Sequence, residues 1–194
     1  MKSLKEYIFE RGWDEYQQNT YPDNLIKDAV YDYVSGCTSG VNDELRKGNI
    51  KGSKQVISKL DKAFINKEII NVYRTVDWDY MNNIYKCNKD NIDKFINKSF
   101  INKGYMSTSS VLISPWGKQW SDYELILHIV SKKPYPCINI NKIFNADEID
   151  CEDQEEILLP RNTKLNLLSY EIKNNKDDKR YPKTGIYILE LEII

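Results

Sequence analysis

The segment Cys151-Glu152-Asp153-Gln154-Glu155-Glu156-Ile157-Leu158-Leu159-Pro160-Arg161 places an amide, Gln154, and a carboxylate, Glu156, two residues apart where a crowded acidic turn enters an apolar run. Side chains alternate across a β-strand, so this spacing predicts Gln154 and Glu156 on one face and Glu155 and Ile157 on the other. An amide can hold a polar group by donating and accepting, while a carboxylate can stabilise a developing positive charge. Glu152, Asp153, Glu155 and Glu156 also repel one another, so the fold by itself gains nothing from a further carboxylate at the mouth of a strand. On this stretch alone, a solvated acidic turn and a reactive site are both open.

Other residues have suitable chemistry at intervals upstream. Arg74 ends the β-branched run Glu68-Ile69-Ile70-Asn71-Val72-Tyr73-Arg74, Ser107-Thr108-Ser109 is a run of hydroxyls, and Ser114-Pro115-Trp116-Gly117-Lys118 is a loop rich in turn formers. A planar, permanently charged guanidinium such as Arg74 or Arg46 suits phosphate, although a lone arginine also serves as a strand-end or surface ion pair. The single histidine, His128, lies inside the apolar run Tyr123–Val130 and reads as a strand residue, which removes most Ser-His-Asp and Cys-His schemes. Cys37, Cys87, Cys137 and Cys151 are far apart and form no Cys-x-x-Cys pair, so neither a zinc site nor a thiol redox motif is indicated.

The elements that must position these residues follow from periodicity. Leu25, Ile26, Ala29, Val30, Tyr33 and Val34 form an apolar helix stripe opened by Pro22-Asp23 and ended at Gly36. A short helix is predicted over Val41–Arg46, closed by Gly48, and another over Lys54–Phe64 with Ser53 as N-cap. After Lys67 the pattern changes to strands: Glu68–Arg74, Tyr105–Ser109, Tyr123–Val130, Cys137–Ile140, Glu156–Leu159, Lys164–Ile172 and Ile186–Ile194, with a helical pattern over Asp90–Phe100 and a polar hairpin loop over Asn174–Lys183. Helices first and strands afterwards make an α+β pattern. The expectation is one domain over 1–194, with a helical part at 1–66 and a mainly β part at 67–194.

Composition narrows the partners. Lys+Arg 28 against Asp+Glu 29 gives a net charge of -1, so no global positive field exists to hold nucleic acid or anionic lipid. No stretch reads as a transmembrane span, and Met1-Lys2-Ser3-Leu4-Lys5-Glu6-Tyr7 carries charge where a signal peptide needs its apolar centre. No Gly-x-Gly-x-x-Gly loop is present.

Taken in order, Arg74, Ser107-Thr108-Ser109, the aromatic and glycine loop, and Gln154-x-Glu156 before Ile-Leu-Leu-Pro resemble mono-ADP-ribosyltransferase toxins of the Arg, Ser-Thr-Ser, Gln-x-Glu class. Within that class the chain is most similar to the clostridial exoenzymes that modify Rho-type GTPases on asparagine. Gly104-Tyr105-Met106-Ser107-Thr108-Ser109 and Gln154-Glu155-Glu156-Ile157-Leu158-Leu159-Pro160-Arg161 resemble the family's two strongest motifs. Val41-Asn42-x-x-Leu45-Arg46 and Leu60-Asp61-Lys62-Ala63-Phe64 resemble its helical signatures, and the likeness covers about residues 25–194.

The resemblance implies a helical part packed on a mainly antiparallel two-sheet β core, with NAD as co-substrate in a cleft between them. Glu156 would stabilise the oxocarbenium-like ribose as the nicotinamide bond breaks, and Ser107 would orient Glu156. Arg74 and Arg46, with Thr75 beside Arg74, would hold the dinucleotide. Trp116 would cover the nicotinamide side or serve as a hydrophobic plug, and Lys118 stands where the family usually has arginine. Gln154 would position the acceptor, its amide favouring asparagine, with glutamine or threonine acceptors also open, over the arginine that a glutamate would favour. The family places an aromatic residue three positions before this glutamine, and Cys151 stands there here, which leaves a Rho-type small GTPase as target open. A monomer, exported as a toxin to act in a target-cell cytosol, completes the expectation. The competing expectations are an NAD glycohydrolase without protein acceptor and a non-catalytic β-sandwich interaction module.

Overall fold

The computed structural model describes residues 24–36, 40–112, 125–144, 155–173 and 185–194. Among the described residues three helices come first: α1 (Asn24–Val34), α2 (Val41–Lys47) and α3 (Lys54–Ala63). Their apolar stripes bury Val30, Val41, Leu45, Ile57 and Leu60 against Ile138, Phe144, Tyr105 and Leu158 from the strand region. Gly48 ends α2 in the left-handed region (φ 73), where a residue without Cβ is unstrained. Ser53 stands at the N-cap of α3 without a side-chain capping bond; its backbone N–H instead donates to the Glu44 carboxylate at 3.2 Å.

The strands are β1 (Lys67–Glu68), β2 (Asn71–Val76), β3 (Ser99–Asn102), β4 (Met106–Ser109), β5 (Leu125–Ser131), β6 (Tyr135–Pro136), β7 (Ile138–Asn139), β8 (Glu156–Leu159), β9 (Thr163–Lys173) and β10 (Ile186–Ile193). Eight of them form one sheet in the order β3-β9-β10-β5-β2-β4-β8-β7, and β1 pairs with β6. Only β10 and β5 run parallel; the other described pairs are antiparallel. The β2–β4 ladder consists of the single pair Tyr73↔Ser109, so the sheet divides into a five-strand block and the block β4-β8-β7. This junction gives the expected two-sheet character to one continuous sheet.

Alternation along β2, β5 and β10 turns Val72, Val76, Leu125, Leu127, Ile129, Leu189 and Leu191 into one core, covered by Met81 and Tyr85. Those two covering residues come from a helix, α4 (Trp78–Tyr85), that periodicity did not indicate. Asp77 caps it by accepting from the Tyr80 N–H. Conversely, the helical pattern over Asp90–Phe100 corresponds to a short 3-10 turn, Ile92–Phe95, followed by β3. Asparagines account for this: Asn91 Oδ1 accepts from the Asn88 N–H at 2.8 Å, Asn91 Nδ2 donates to the Lys86 carbonyl at 3.0 Å, and Asn97 turns the chain at φ 62. Side-chain amides that compete for backbone groups favour turns over a continued helix.

Candidate active site

Glu156 opens β8 opposite Ser109 of β4, and Ser107 pairs with Leu158. Directly paired residues share a face, so Ser107 and Glu156 are diagonal neighbours on the side of β8 that carries Leu158 toward the helices. Ile157 and Leu159 point into the other core. Glu156 is buried at 6 % exposure, and its side chain accepts a hydrogen bond from Ser107. Burial pushes the carboxyl above the usual glutamate range, while the Ser107 bond and the positive charge of Arg74 pull it back.

Arg74 is carried on β2, where its partner Leu127 fixes it on the core-facing side. Beyond the one-pair β2–β4 ladder, its Nη1 donates to the Ser107 carbonyl at 2.6 Å. Arg46 arrives from the last turn of α2. The two guanidinium groups meet at one aromatic ring: Arg46 lies 5.5 Å and Arg74 5.6 Å from the centroid of Tyr80. The Tyr33 hydroxyl, from α1, lies within electrostatic reach of Arg74, Glu156 and Arg46, and burial raises its pKa. Arg74, Arg46, Ser107 and Glu156 therefore converge on one place between the helices and the sheet junction.

The salt-bridge reading of the arginines has little support. Arg46 pairs with the exposed Asp43 at 3.4 Å, a contact of small energetic weight. Arg46 Nε and Arg74 Nε are buried without a hydrogen-bond partner among the described residues, as is Trp78 Nε1. Buried donors left unpaired are costly, and phosphate oxygens are the acceptors a guanidinium engages most strongly. The donor set thus fits a dinucleotide diphosphate.

Thr75 alternates to the opposite side of β2 from Arg74, paired with Ile126 beside Tyr73. His128 shares that far face: its ring stacks on Tyr73 at 4.6 Å, with Nδ1 2.7 Å from Glu190 and Nε2 2.8 Å from Asn71. Its place inside β5 agrees with a strand role. Gln154, Trp116 and Lys118 lie outside the described residues, as do Cys37 and Cys151. Glu155 adopts φ 43 and β8 begins only at Glu156, so strand alternation does not include Glu155. Glu155 is held there by a short hydrogen bond from the Ser110 hydroxyl and by the Ser110 N–H donating to its carbonyl at 3.1 Å.

Sequence reasoning passes over Tyr80 and Trp78 and places Tyr33 only in the apolar stripe of α1. A signal for Tyr80 existed in Asp77-Trp78-Asp79-Tyr80-Met81, an N-cap followed by apolar residues at positions 78, 81, 84 and 85. No group of metal-ligating side chains occurs among the described residues.

The fold is shared with solved ADP-ribosyltransferase structures. The chain aligns with Plx2a, an ADP-ribosyltransferase toxin from Paenibacillus larvae, at a TM-score of 0.71 and 20% identity, over 98% of this chain and 96% of that one. The structure of C3stau2 from S. aureus with NAD aligns at 0.69 and 18% identity, over 100% and 97%. C3larvin toxin from Paenibacillus larvae aligns at 0.65 and 23% identity, over 92% and 99%. No curated protein matches the chain in sequence. A family model, ADP-ribosyltransferase exoenzyme, matches residues 11–188, and the chain belongs to that family. It is an NAD-dependent mono-ADP-ribosyltransferase, with NAD as co-substrate.

Proposed function

We propose that this enzyme transfers ADP-ribose to an asparagine side chain of a Rho-type small GTPase, with Glu156, Ser107, Arg74 and Arg46 as the groups that carry the reaction. The observation that supports it most is the convergence of a buried carboxylate and two guanidinium groups around one tyrosine ring. The Arg74 and Arg46 guanidiniums bind the diphosphate of NAD through the Nε donors that have no partner among the described residues. NAD supplies the ribosyl group and a neutral leaving nicotinamide, so no strong general acid is required. Ionised Glu156 stabilises positive charge on the ribose in a site that burial makes electrostatically strong. Ser107 favours the ionised form of that carboxylate and aims it by donating its hydroxyl hydrogen.

Gln154 gives the lean to asparagine, because an amide pairs with an amide by one donated and one accepted bond. Export as a toxin acting in the cytosol of a target cell follows from the family likeness. The chain is proposed to act as a monomer. Among the described residues, no helix is long and apolar enough to cross a membrane.

Labelling of eukaryotic lysate with tagged NAD, followed by mass-spectrometric mapping of the modified side chain, tests this reading. Label on an asparagine of a small GTPase is expected. Free ADP-ribose with no labelled protein overturns it in favour of glycohydrolysis, and label on arginine overturns the acceptor.

A further inference from the structure

The peptide between Gly104 and Tyr105 is gripped at both ends by asparagine side chains. Its carbonyl accepts from Asn102 Nδ2 at 2.6 Å, and its N–H donates to Asn42 Oδ1 at 2.8 Å. Asn42 Nδ2 also donates to the Tyr105 carbonyl at 3.1 Å and to the Tyr33 hydroxyl at 2.8 Å. Asn42 thereby pairs with both backbone groups of Tyr105, much as a neighbouring strand does. Asn102 is fully buried, and its Oδ1 accepts from the Tyr85 hydroxyl at 3.0 Å. Tyr85 is in turn hydrogen-bonded to Tyr80.

Both branches end at the active site. One runs through Asn102 and Tyr85 to Tyr80, whose ring faces Arg46 at 5.5 Å and Arg74 at 5.6 Å. The other runs through Asn42 to the Tyr33 hydroxyl, within reach of the charges of Arg74, Glu156 and Arg46. Asn42 lies one helical turn before Arg46 on α2, and Tyr105 lies two residues before Ser107. The clamped peptide is the common anchor of the arginines and of the strand that carries Ser107.

Packing does not require this chain of polar groups. The Tyr85 ring lies against Phe100 at 4.2 Å, a contact that a phenylalanine makes equally well. Buried polar networks carry a high cost when incomplete and fix a single geometry when complete. An active site gains from that fixity, because displacement of about 1 Å can cost about a hundredfold in rate.

We propose that Asn42 and Asn102 are positioning residues: by clamping the Gly104–Tyr105 peptide between Tyr33 and the Tyr85–Tyr80 pair, they hold Arg46 and Arg74 in register with Ser107 and Glu156. The assignment rests on the reading of the two arginines as the diphosphate-binding groups.

Steady-state kinetics with varied NAD, alongside thermal melts, tests it in Tyr85→Phe, Tyr80→Phe and the double variant, which keep every ring. Each single variant is expected to raise KM for NAD about fivefold, the scale of one hydrogen bond, with kcat near wild type; Tyr85→Phe also leaves the buried Asn102 Oδ1 unpaired and should lower Tm as well. The double variant should be no worse than Tyr85→Phe, because both changes break one chain. Asn42→Ala should raise KM and lower kcat, since its branch also reaches the surroundings of Glu156. A fall in Tm with unchanged KM in Tyr85→Phe overturns the proposal and makes the hydroxyls structural; single-variant effects that multiply in the double variant also overturn it. Arg74→Lys, measured alongside, separates the two levels. Unchanged NAD binding in that variant overturns the phosphate reading itself, whereas weakened binding there with a wild-type KM in Tyr85→Phe overturns only the positioning network.

Discussion

Arg74 and Ser107 are joined through the backbone of the serine: Arg74 Nη1 lies 2.6 Å from the Ser107 carbonyl, and the Ser107 hydroxyl is thereby left to Glu156. One residue serves both charges of the site with separate groups. The junction between the sheet blocks makes this possible, because β2 and β4 share only the pair Tyr73↔Ser109, leaving room for a side chain to take a carbonyl.

Ser107→Ala therefore removes the bond to Glu156 and leaves the bond to Arg74. It is expected to lower kcat by about 10- to 100-fold, the scale of a hydrogen bond to a charged group, with KM for NAD within about twofold of wild type. The same bond lowers the Glu156 pKa, so its loss raises that pKa further. With Glu156 in the proposed role, activity requires the ionised carboxylate and should rise with pH through its pKa. The acid limb of the kcat profile should consequently move to higher pH in Ser107→Ala; an unmoved limb would refute the proposed contact.

Burial also makes Glu156 a stability cost at neutral pH. Its folded pKa lies above the ordinary glutamate value of about 4.3, so between those two values the folded state binds more protons than the unfolded chain. Stability associated with this group is highest below the unfolded value, falls as pH rises to the folded value, and is level beyond it. Glu156→Gln removes the charge and should melt at a higher temperature than wild type at pH 7.5, with the difference shrinking toward pH 4. Turnover should be lost while the fold is kept. Calorimetric melts across pH 4 to 8 decide the matter, and a Glu156→Gln variant less stable than wild type at pH 7.5 would show that ionised Glu156 is well solvated or well paired.

The buried thiols offer a check on the core that Met81 and Tyr85 cover. Cys87 and Cys137 are 2 % and 1 % exposed, free of disulfides, and burial pushes both thiols up to about 11. Thiolate is the reactive form, so neither should be alkylated in native protein at pH 8 within the time that labels the unfolded chain. Peptide mapping after iodoacetamide treatment measures this. Rapid native labelling of the Cys87 peptide would mean that the end of α4 opens far more often than its packing allows.

The comparison of sequence and structure divides along a physical line. Elements with a strong apolar period were legible: the stripe of α1, the Gly48 stop of α2, and β8 to β10 all stand within a residue or two of their expected bounds. Arg46 and Glu156 stand at the ends of such elements, whereas Arg74, expected to end its strand, lies inside β2, which starts at Asn71 and runs on to Val76. Periodicity erred where asparagine is dense. Ile92, Phe95 and Ile96 are spaced as on a helix, yet the amides of Asn88 and Asn91 take the backbone groups that a helix needs. The helix α4, with Asn82 and Asn83 in its middle, was overlooked for the converse reason, and with it went Tyr80. Expectations about Gln154, Trp116 and Lys118 fall on residues outside those described. Network residues such as Asn102 have no local signature, since their partners Tyr85 and Gly104 are assigned only by the fold.

Gly104 is the position where close approach decides the residue type. A Cβ built there would lie 2.6 Å from Asn42 Oδ1 and 3.3 Å from Asn42 Cβ, inside the contact limit. The asparagine cannot simply turn aside without giving up its bonds to the Tyr105 N–H, the Tyr105 carbonyl and the Tyr33 hydroxyl. Gly104→Ala should therefore destabilise the protein by about 1–3 kcal/mol, the range found for overpacked interiors. Asn42→Ala alone should cost about 1–3 kcal/mol through lost hydrogen bonds and the unpaired groups left behind. Once Asn42 is alanine, the added methyl at position 104 has lost its main obstacle. The double variant Asn42→Ala, Gly104→Ala should then be at least about 1 kcal/mol more stable than the sum of the single changes predicts. Denaturant unfolding of the four proteins measures that coupling, and strict additivity would mean that the α2 helix moves freely relative to β4, against the contact on which the positioning of Arg46 depends.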